Sequence, residues 1–329
     1  MSSSQPPDAP AWRPSAPLAT LRLRAELLAA ARAFFAARQV LEVDTAALLH
    51  HAVTDVHLHN AQVSLPGHAA PLYLHTSPEY AMKRLLAAGS GDIYQIAHVY
   101  RGAERSRLHN PEFMLIEWYR CGFTLPQLMQ EVAQLAGVLL GLDAGGAIDS
   151  VSYSEAFLRT LGCEPLQAAD ATLRVLAMRH GLAARLAQEA GRDELLDWLM
   201  GAVIGPRLGC DGLCFVHRYP ASQASLACLD PEDARVALRF ELYYRGIELA
   251  NGFEELSAAA EQRARFEADR LQRRRRSLPV PDIDEALLAA LAAGLPPVCG
   301  VALGFDRLLM LRTGATDIAQ VLPFGFEFA

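Results

Sequence analysis

Hydrophobic residues recur at helical spacing near the start of the chain. Leu21, Leu28 and Phe35 follow one another at intervals of seven, with other apolar residues beside them. This period predicts an amphipathic helix over residues 18–38. The partly alternating, branched run Val40–Thr45 then predicts a strand.

Helical and strand-like segments alternate along the rest of the chain without internal repeats. Alternating, branched or aromatic runs predict strands at 73–75, 92–99, after Pro111, at 215–219 and, as two strands around a turn, at 236–249. Helical patterns predict helices at 79–88, 125–142, within 148–209 and at 258–276, and a strand–glycine turn–helix unit at 300–310. Pro78 is expected at the first helical position after a Thr76 or Ser77 cap. Because the strands form antiparallel hairpins rather than regular βαβ units, the pattern predicts an α+β fold, an antiparallel sheet flanked by helices.

Composition narrows the class of protein. The chain has 329 residues, 52% of them hydrophobic, a net charge of −7 and no run that could span a bilayer. An acidic chain is a poor candidate for wrapping nucleic acid. Residues 1–17 lack the pattern of a secretory signal and are expected to form a disordered tail. Six scattered cysteines without zinc-site spacing favour a cytoplasmic protein with reduced thiols.

Basic residues are almost all arginine. Lys83 is the single lysine, which is typical of a G+C-rich genome and carries no functional prediction. The run formed by Arg270 and Arg273–Arg276 is interpreted as a solvated helix end before Pro279.

The strongest chemical signal is an arginine-rich loop between two predicted strands. Tyr100–Arg107 contains three arginines and is followed by His109-Asn110-Pro111. A guanidinium group binds phosphate oxygens through two parallel hydrogen bonds and does not lose its charge. The loop therefore predicts nucleotide chemistry without a P-loop, with Arg101 as the candidate phosphate ligand.

Two other features would have to converge with this loop. Arg307 follows the Gly304 turn at a predicted helix N-terminus, where backbone amides and the helix dipole favour a phosphate. The second feature is a set of carboxylates that includes candidate Mg²⁺ ligands: Glu241, Glu248, Glu254 and Glu255. Taken singly, each residue has a structural explanation, such as a surface arginine or an edge-strand charge. Their order and spacing together favour a single site.

The chain resembles the catalytic core of class II aminoacyl-tRNA synthetases. It is closest to the lysyl-tRNA synthetases and, within them, to the truncated paralogues that ligate β-lysine to elongation factor P. The resemblance covers residues 18–329, expected to be one catalytic domain. It is carried by these segments: Leu74–Tyr80, His109–Phe113, Pro220–Ala227, Gly246–Phe253 and Gly300–Arg307.

The resemblance implies a role for each matching residue. Arg101 would hold and polarise the α-phosphate of ATP, and Arg307 would hold the γ-phosphate. The other implied ATP contacts are Ala103, Glu104, His109, Asn110, Glu248, Leu249, Asn251 and Gly304. Glu241 and Glu248 would hold Mg²⁺. The amino-acid pocket would be lined by Ser77, Glu79, Tyr119, Glu255 and Ala302.

The sequence departs from the family pattern at four positions. Ala46 stands where the first motif has proline, and Met114 stands where threonine is usual. Ala103 occupies the place of a glutamate in the arginine loop, and Glu104 follows it directly. Ala302 stands where the synthetases usually have glycine, so its methyl group fits a differently placed amine, as in β-lysine.

These observations lead to an expected function. The resemblance implies an ATP-dependent ligase that adenylates (R)-β-lysine or lysine and transfers it to a lysine of elongation factor P, acting as a homodimer. The first motif, Phe34–Leu48, leaves no room for an anticodon-binding domain before it, so anticodon-dependent tRNA binding is not expected. Two alternatives remain open: an adenylating enzyme that charges a tRNA or another acceptor, and a non-catalytic regulator that binds ligand.

Overall fold

The computed structural model describes residues 12–143 and 146–329. They form two compact units. The first contains the described residues up to Phe123 together with Gln134–Leu142 and Ser257–Ala329. The second contains Thr124–Ala133 and the described residues from Asp143 to Leu256.

The α-helices of the described residues are α1 (Leu18–Ala36), α2 (Glu79–Ala87), α3 (Leu125–Leu140), α4 (Tyr153–Leu161), α5 (Asp170–Arg179), α6 (Ala184–Glu189), α7 (Arg192–Leu199), α8 (Ala259–Arg275), α9 (Glu285–Gly294) and α10 (Phe305–Thr313). The strands are β1 (Leu41–Glu42), β2 (Leu48–Leu49), β3 (Gln62–Val63), β4 (Leu72–Leu74), β5 (Ile93–Tyr100), β6 (Glu112–Cys121), β7 (Ile148–Ser152), β8 (Leu213–Pro220), β9 (Val236–Tyr244), β10 (Ile247–Glu254) and β11 (Val298–Gly304). None of the helices in these ranges has the length and apolar character needed to cross a bilayer.

The sheet strands of each unit pair mainly in antiparallel fashion. In the first unit the order is β1-β5-β6-β11, and the short edge strand β1 is parallel to β5. In the second unit the order is β10-β9-β8-β7, and of the pairs in this unit's described residues only β7–β8 is parallel. Helices accompany both sets, so the predicted α+β class is confirmed.

The core explains why the periodic segments fold as predicted. Leu27, Phe34 and Phe35 of α1 are buried, and the Phe35 ring stacks on Tyr94 of β5 at 4.2 Å between centroids. Helix α1 begins at the predicted Leu18, but packing starts earlier. Ser15 donates its backbone N–H to Pro323 O, and Ala16 is buried.

Several boundaries differ from the sequence-based expectation. Pro78 is the N-cap of α2 rather than its first residue, and Ser77 Oγ accepts the Glu79 N–H at 3.0 Å. The segment 148–209 was predicted to be helical, but it begins with strand β7. Helix α9 was not predicted, because its short Ala/Leu sequence lacks a polar face.

The prediction of a solvated helix end was wrong at Arg273, and the Arg270 side chain is also only 19% exposed. Arg274, Arg275 and Arg276 are exposed as expected, but Arg273 is buried. Its Nε donates to Pro279 O at 2.6 Å, and its Nη1 donates to the carbonyls of Asp55 and Leu58. Arg273 therefore ties α8 to the segment 55–58, and this long-range contact leaves no signal in a local charge pattern.

Candidate active site

The first group of predicted site residues lies where α2 begins and along β6. Glu117 and Tyr119 stand two residues apart on β6 and therefore share one face of the strand. On the neighbouring strand β11, Ala302 pairs with Glu117 and Gly300 pairs with Tyr119. Because directly opposed residues of an antiparallel pair project to the same side, the Ala302 methyl group lies beside Glu117.

Glu117 is the centre of this group and was not among the predicted site residues. Its Oε2 accepts from Ser77 Oγ at 2.7 Å and its Oε1 accepts from Tyr119 OH at 2.8 Å. Burial, and secondarily the negative charge of Glu79, raises the pKa of Glu117 to about 7. A buried carboxyl group poised near neutrality, with polar neighbours, is typical of a functional site. The alternation of charged and aromatic residues on β6 was the signal that could have found it.

Glu79 supplies the second carboxylate. It lies in the first turn of α2, and its Oε1 accepts from Lys83 Nζ at 2.7 Å, one helical turn later. Its side chain is 17% exposed, whereas that of Lys83 is 2% exposed. Two carboxyl groups, a hydroxyl and a phenol thus meet in the C-terminal half of β6, an arrangement suited to holding an ammonium group.

A second group surrounds the arginine loop. The Arg101 side chain is half-buried, with its guanidinium 5.0 Å from the Phe113 ring centroid and its Nε 3.4 Å from Thr76 O. Arg101 Nη1 lies 3.5 Å from Glu104 Oε1. Ala103 is exposed. Glu104 therefore contacts Arg101. Ala103, which stands where the family has glutamate, has no side chain that could do so.

His109 links this loop to the last helix. Arg307 Nη2 donates to His109 Nε2 at 2.6 Å, and His109 Nδ1 lies 2.7 Å from Ser106 Oγ. An Nε2 that accepts from a guanidinium must be unprotonated. Burial first, and then the positive charge of Arg307, lowers the pKa of His109, so the neutral imidazole is favoured at neutral pH.

The N-terminus of α10 is anchored by Asp306, which is buried. Its Oδ2 accepts the Met114 N–H at 2.6 Å, and its Oδ1 pairs with Arg24. Gly304 is the N-cap of this helix, and Arg307 extends from its first turn to donate from Nε to Leu108 O at 3.3 Å. The structure therefore brings Arg101, Glu104, His109 and Arg307 into one connected cluster.

Asn110 is used differently from the expectation of a simple nucleotide contact. Its Nδ2 donates to Glu112 O at 2.6 Å, and its Oδ1 accepts the Phe326 N–H at 3.1 Å. The side chain thus fixes the loop to the C-terminal segment. A nucleotide contact would use the remaining N–H or the second lone pair of Oδ1.

The remaining predicted residues belong to the second unit. Glu241 pairs with Asn251 across β9 and β10, and Glu248 pairs with Tyr243, so these side chains share a face. Glu241 accepts from Arg239 Nη2 at 2.6 Å and from Tyr243 OH at 2.7 Å. Leu249 and Glu255, which are close to Glu248 in the sequence, are both buried. The convergence of this set with the arginine cluster stays a prediction.

Glu241, Glu248 and Asn251 offer oxygen atoms that could bind Mg²⁺. Within 12–143 and 146–329, no three His, Cys, Asp or Glu side chains are grouped as a metal site. Mg²⁺ at a nucleotide, however, needs only one or two carboxylates and takes its other ligands from phosphates and water. Among the described atoms, buried Asn251 Oδ1 has no hydrogen-bond partner, on the face that carries Glu241. The residues therefore fit a nucleotide-bound cation rather than a metal site built by protein alone.

Comparison with known proteins identifies the family of the chain. Residues 11–327 match the family tRNA synthetases class II (D, K and N). The elongation factor P–(R)-β-lysine ligase of Vibrio parahaemolyticus serotype O3:K6 is 48% identical over 322 residues, covering 97% of this chain and 99% of that protein. The ligase of the same name from Edwardsiella ictaluri is 48% identical over 326 residues, covering 98% and 99%. That from Hamiltonella defensa subsp. Acyrthosiphon pisum is 46% identical over 322 residues, covering 97% and 98%. The protein therefore belongs to the class II tRNA synthetase family, among the elongation factor P–(R)-β-lysine ligases.

Proposed function

We propose that this protein is an ATP-dependent ligase that activates (R)-β-lysine, or lysine, and transfers it to a lysine side chain of elongation factor P. The observation that carries the proposal is the group of polar side chains in the C-terminal half of β6. There the charge of Glu79 acts on buried Glu117, and Ala302 lies opposite Glu117 on β11. The names and full-length similarity of the relatives support the same reaction.

Activation needs the substrate carboxylate to attack the α-phosphorus of ATP, forming an acyl–phosphate bond and releasing pyrophosphate. Arg101 would neutralise charge that develops on the α-phosphate, and Arg307 would orient the γ-phosphate. Fixed positive groups in a partly buried site stabilise such charge without having to reorganise. Mg²⁺, when bound, would screen the phosphate charge. Glu241 and Glu248 would hold it, with Asn251 beside them.

His109 would keep Arg307 in place rather than act as an acid. Its lowered pKa leaves Nε2 available to accept from the guanidinium. A neutral ring adds no extra positive charge that would hold the pyrophosphate product back. Positioning of reactants would supply most of the acceleration.

The pocket favours a substrate whose amine lies where a β-amino acid places it. The Ala302 methyl group takes space beside Glu117 that a glycine would leave open. Moving an amino group by one carbon changes which carboxylate it reaches. We therefore assign (R)-β-lysine as the preferred substrate, with Ser77, Glu79 and Tyr119 as its partners and Glu255 as a further carboxylate for an amine.

Transfer would follow by attack of a lysine amine of elongation factor P on the acyl carbonyl, with AMP as the leaving group. Supply of ATP and the presence of this translation factor place the reaction in the cytoplasm. A tRNA as acceptor is the second candidate, favoured only by the family relationship. A non-catalytic regulator is less consistent with the Arg101–Glu104 contact, which restores a carboxylate partner despite Ala103.

The first step is tested by ATP–pyrophosphate exchange across (R)-β-lysine, lysine and other amino acids. We expect exchange that depends on Mg²⁺ and is fastest with (R)-β-lysine. An Ala302→Gly variant should shift the preference towards lysine, because it removes the methyl group beside Glu117. Absence of exchange with every amino acid would contradict the enzyme assignment.

A further inference from the structure

The single lysine of the chain lies inside the protein rather than on its surface. Lys83 is 1% exposed and is located in the middle of α2, although the chain has 30 basic residues in all. A buried ammonium group is costly unless it is paired and hydrogen-bonded. The position of Lys83 therefore calls for a local reason.

That reason is found in the carboxyl groups of the amino-acid pocket. Lys83 Nζ donates to Glu79 Oε1 at 2.7 Å. The positive charge of Lys83 also lowers the pKa of Glu117, while the negative charge of Glu79 raises it. Lys83 is thus coupled to both carboxyl groups.

We propose that Lys83 is a positioning residue that holds Glu79 and balances the Glu79–Glu117 pair, so that the pocket keeps one uncompensated negative charge for one substrate ammonium group. This inference rests on the proposed function of the pocket. When Glu117 is ionised, two carboxylates and one ammonium leave a single negative charge. Without Lys83, two neighbouring buried carboxylates would repel each other, and one of them would hold a proton that the substrate must displace.

The environment of the pair contains few other charges. On Glu117 itself, the groups that act are the charges of Glu79 and Lys83 of α2, the hydroxyl of Ser77 and the phenol of Tyr119. The strand neighbours of Glu117 are Gln95 on β5 and Ala302 on β11, and neither is charged. Among the described residues, Lys83 is the cation named as acting on Glu117, and it also donates to Glu79.

A chain with one lysine allows a direct spectroscopic test. Full-length protein grown with isotope-labelled lysine gives a single lysine side-chain NMR signal. We expect this signal to move in a saturable way when (R)-β-lysine or lysine is added without ATP, with the same affinity that calorimetry measures. Calorimetric binding without movement of the signal overturns the role of Lys83 alone. Absence of binding in both measurements overturns the proposed function and this inference with it.

Variants separate positioning from simple structural support. Lys83→Met should raise the KM for the amino acid about tenfold at neutral pH, leave kcat nearly unchanged, and move the pH at which KM levels off to a higher value. Lys83→Arg should restore the original pH profile in part. Arg84→Met is the matched control, because it removes an exposed cation from the next position of the same helix. An unshifted pH profile in Lys83→Met, measured on protein that binds substrate, contradicts the proposal.

Discussion

At the scale of single residues, the arginine loop and the last helix form one chain of polar contacts. Glu104 lies between Arg101, at 3.5 Å, and His109 Nε2, at 3.9 Å, and His109 in turn accepts from Arg307. A guanidinium whose partners fix its position loses less entropy when it binds a phosphate. Ala103 cannot contact Arg101 as the glutamate of the family pattern would, but the carboxylate of Glu104, the next residue, does.

Arg307→Ala should abolish adenylation while the protein stays folded. The loss in ATP–pyrophosphate exchange should be about a hundredfold or more, as for removal of a fixed charge that stabilises a transition state. Arg275→Ala, which removes an exposed arginine of the same unit, should leave exchange unchanged. Unaltered exchange in Arg307→Ala would remove the γ-phosphate role.

Glu117 predicts a pH dependence of substrate binding. Its pKa of about 7 means that the carboxyl group gains a proton as the pH falls below neutrality, so it no longer pairs with an ammonium group. The KM for the amino acid should therefore rise below pH ~7 in the native protein and be less pH-dependent in Glu117→Gln. Initial rates of exchange measured at saturating ATP across this range provide the check.

The same group has the opposite effect on stability. Its folded-state pKa lies above the ordinary value of 4.5, so its contribution to stability is fully present below pH 4.5 and is lost as the pH rises through about 7. Glu117→Gln should consequently gain stability relative to the native protein above neutral pH. Urea unfolding of both proteins at acidic and alkaline pH measures the difference in their free energies of unfolding. A Glu117→Gln protein that is less stable than the native protein at alkaline pH would contradict this prediction.

At the scale of helices and strands, the elements with strong local patterns were predictable. Helix α1, the hairpin of β9 and β10, and the unit of β11 and α10 confirm the expectations within a few residues. These segments carry their periodicity in their own sequence. Helix α9 does not, because its Ala- and Leu-rich sequence suits either a helix or a buried segment until tertiary packing decides. Strand β7 was missed because its five residues, Ile148–Ser152, are too few and too polar to show a period against the helical segment that follows.

The site was predictable to the extent that its residues lie in recognisable segments. The contact between Arg307 and His109 joins positions nearly two hundred residues apart, and only the motif resemblance anticipated their proximity. Glu117 and Lys83 were missed for a physical reason. A buried acid and a buried base look like ordinary surface charges until the partners that compensate them are known.

Arg273 provides a test at this scale. Its guanidinium satisfies the carbonyls of Pro279, Asp55 and Leu58, and these would lose their donor in Arg273→Met. We expect a loss of about 2 kcal/mol or more in the free energy of unfolding, since unsatisfied buried polar groups cost about 1–3 kcal/mol each. Arg274→Met, the exposed neighbour, should change stability little. Equal stability of both variants in chemical denaturation would refute the tie between α8 and residues 55–58.

At the scale of the whole molecule, the homodimer expected from the family stays a prediction, and exposed apolar side chains support it. Leu18 of α1 and Leu41 of the edge strand β1 are 65% and 54% exposed, both in the first unit. Large apolar side chains next to an open strand edge favour association. Leu41→Glu should therefore convert a dimer into a monomer in sedimentation equilibrium. A native protein that sediments as a monomer at micromolar concentration would contradict this expectation.

The identity of the acceptor separates the proposed ligase from a tRNA-charging enzyme, and one measurement addresses it. The protein is incubated with ATP, Mg²⁺, (R)-β-lysine and either elongation factor P or total tRNA, and the products are analysed by intact mass spectrometry and by acid-gel mobility of the tRNA. The account predicts that elongation factor P gains one β-lysyl group on a lysine side chain, that replacing this lysine with arginine abolishes the gain, and that tRNA remains uncharged. Charged tRNA together with unmodified elongation factor P would contradict it.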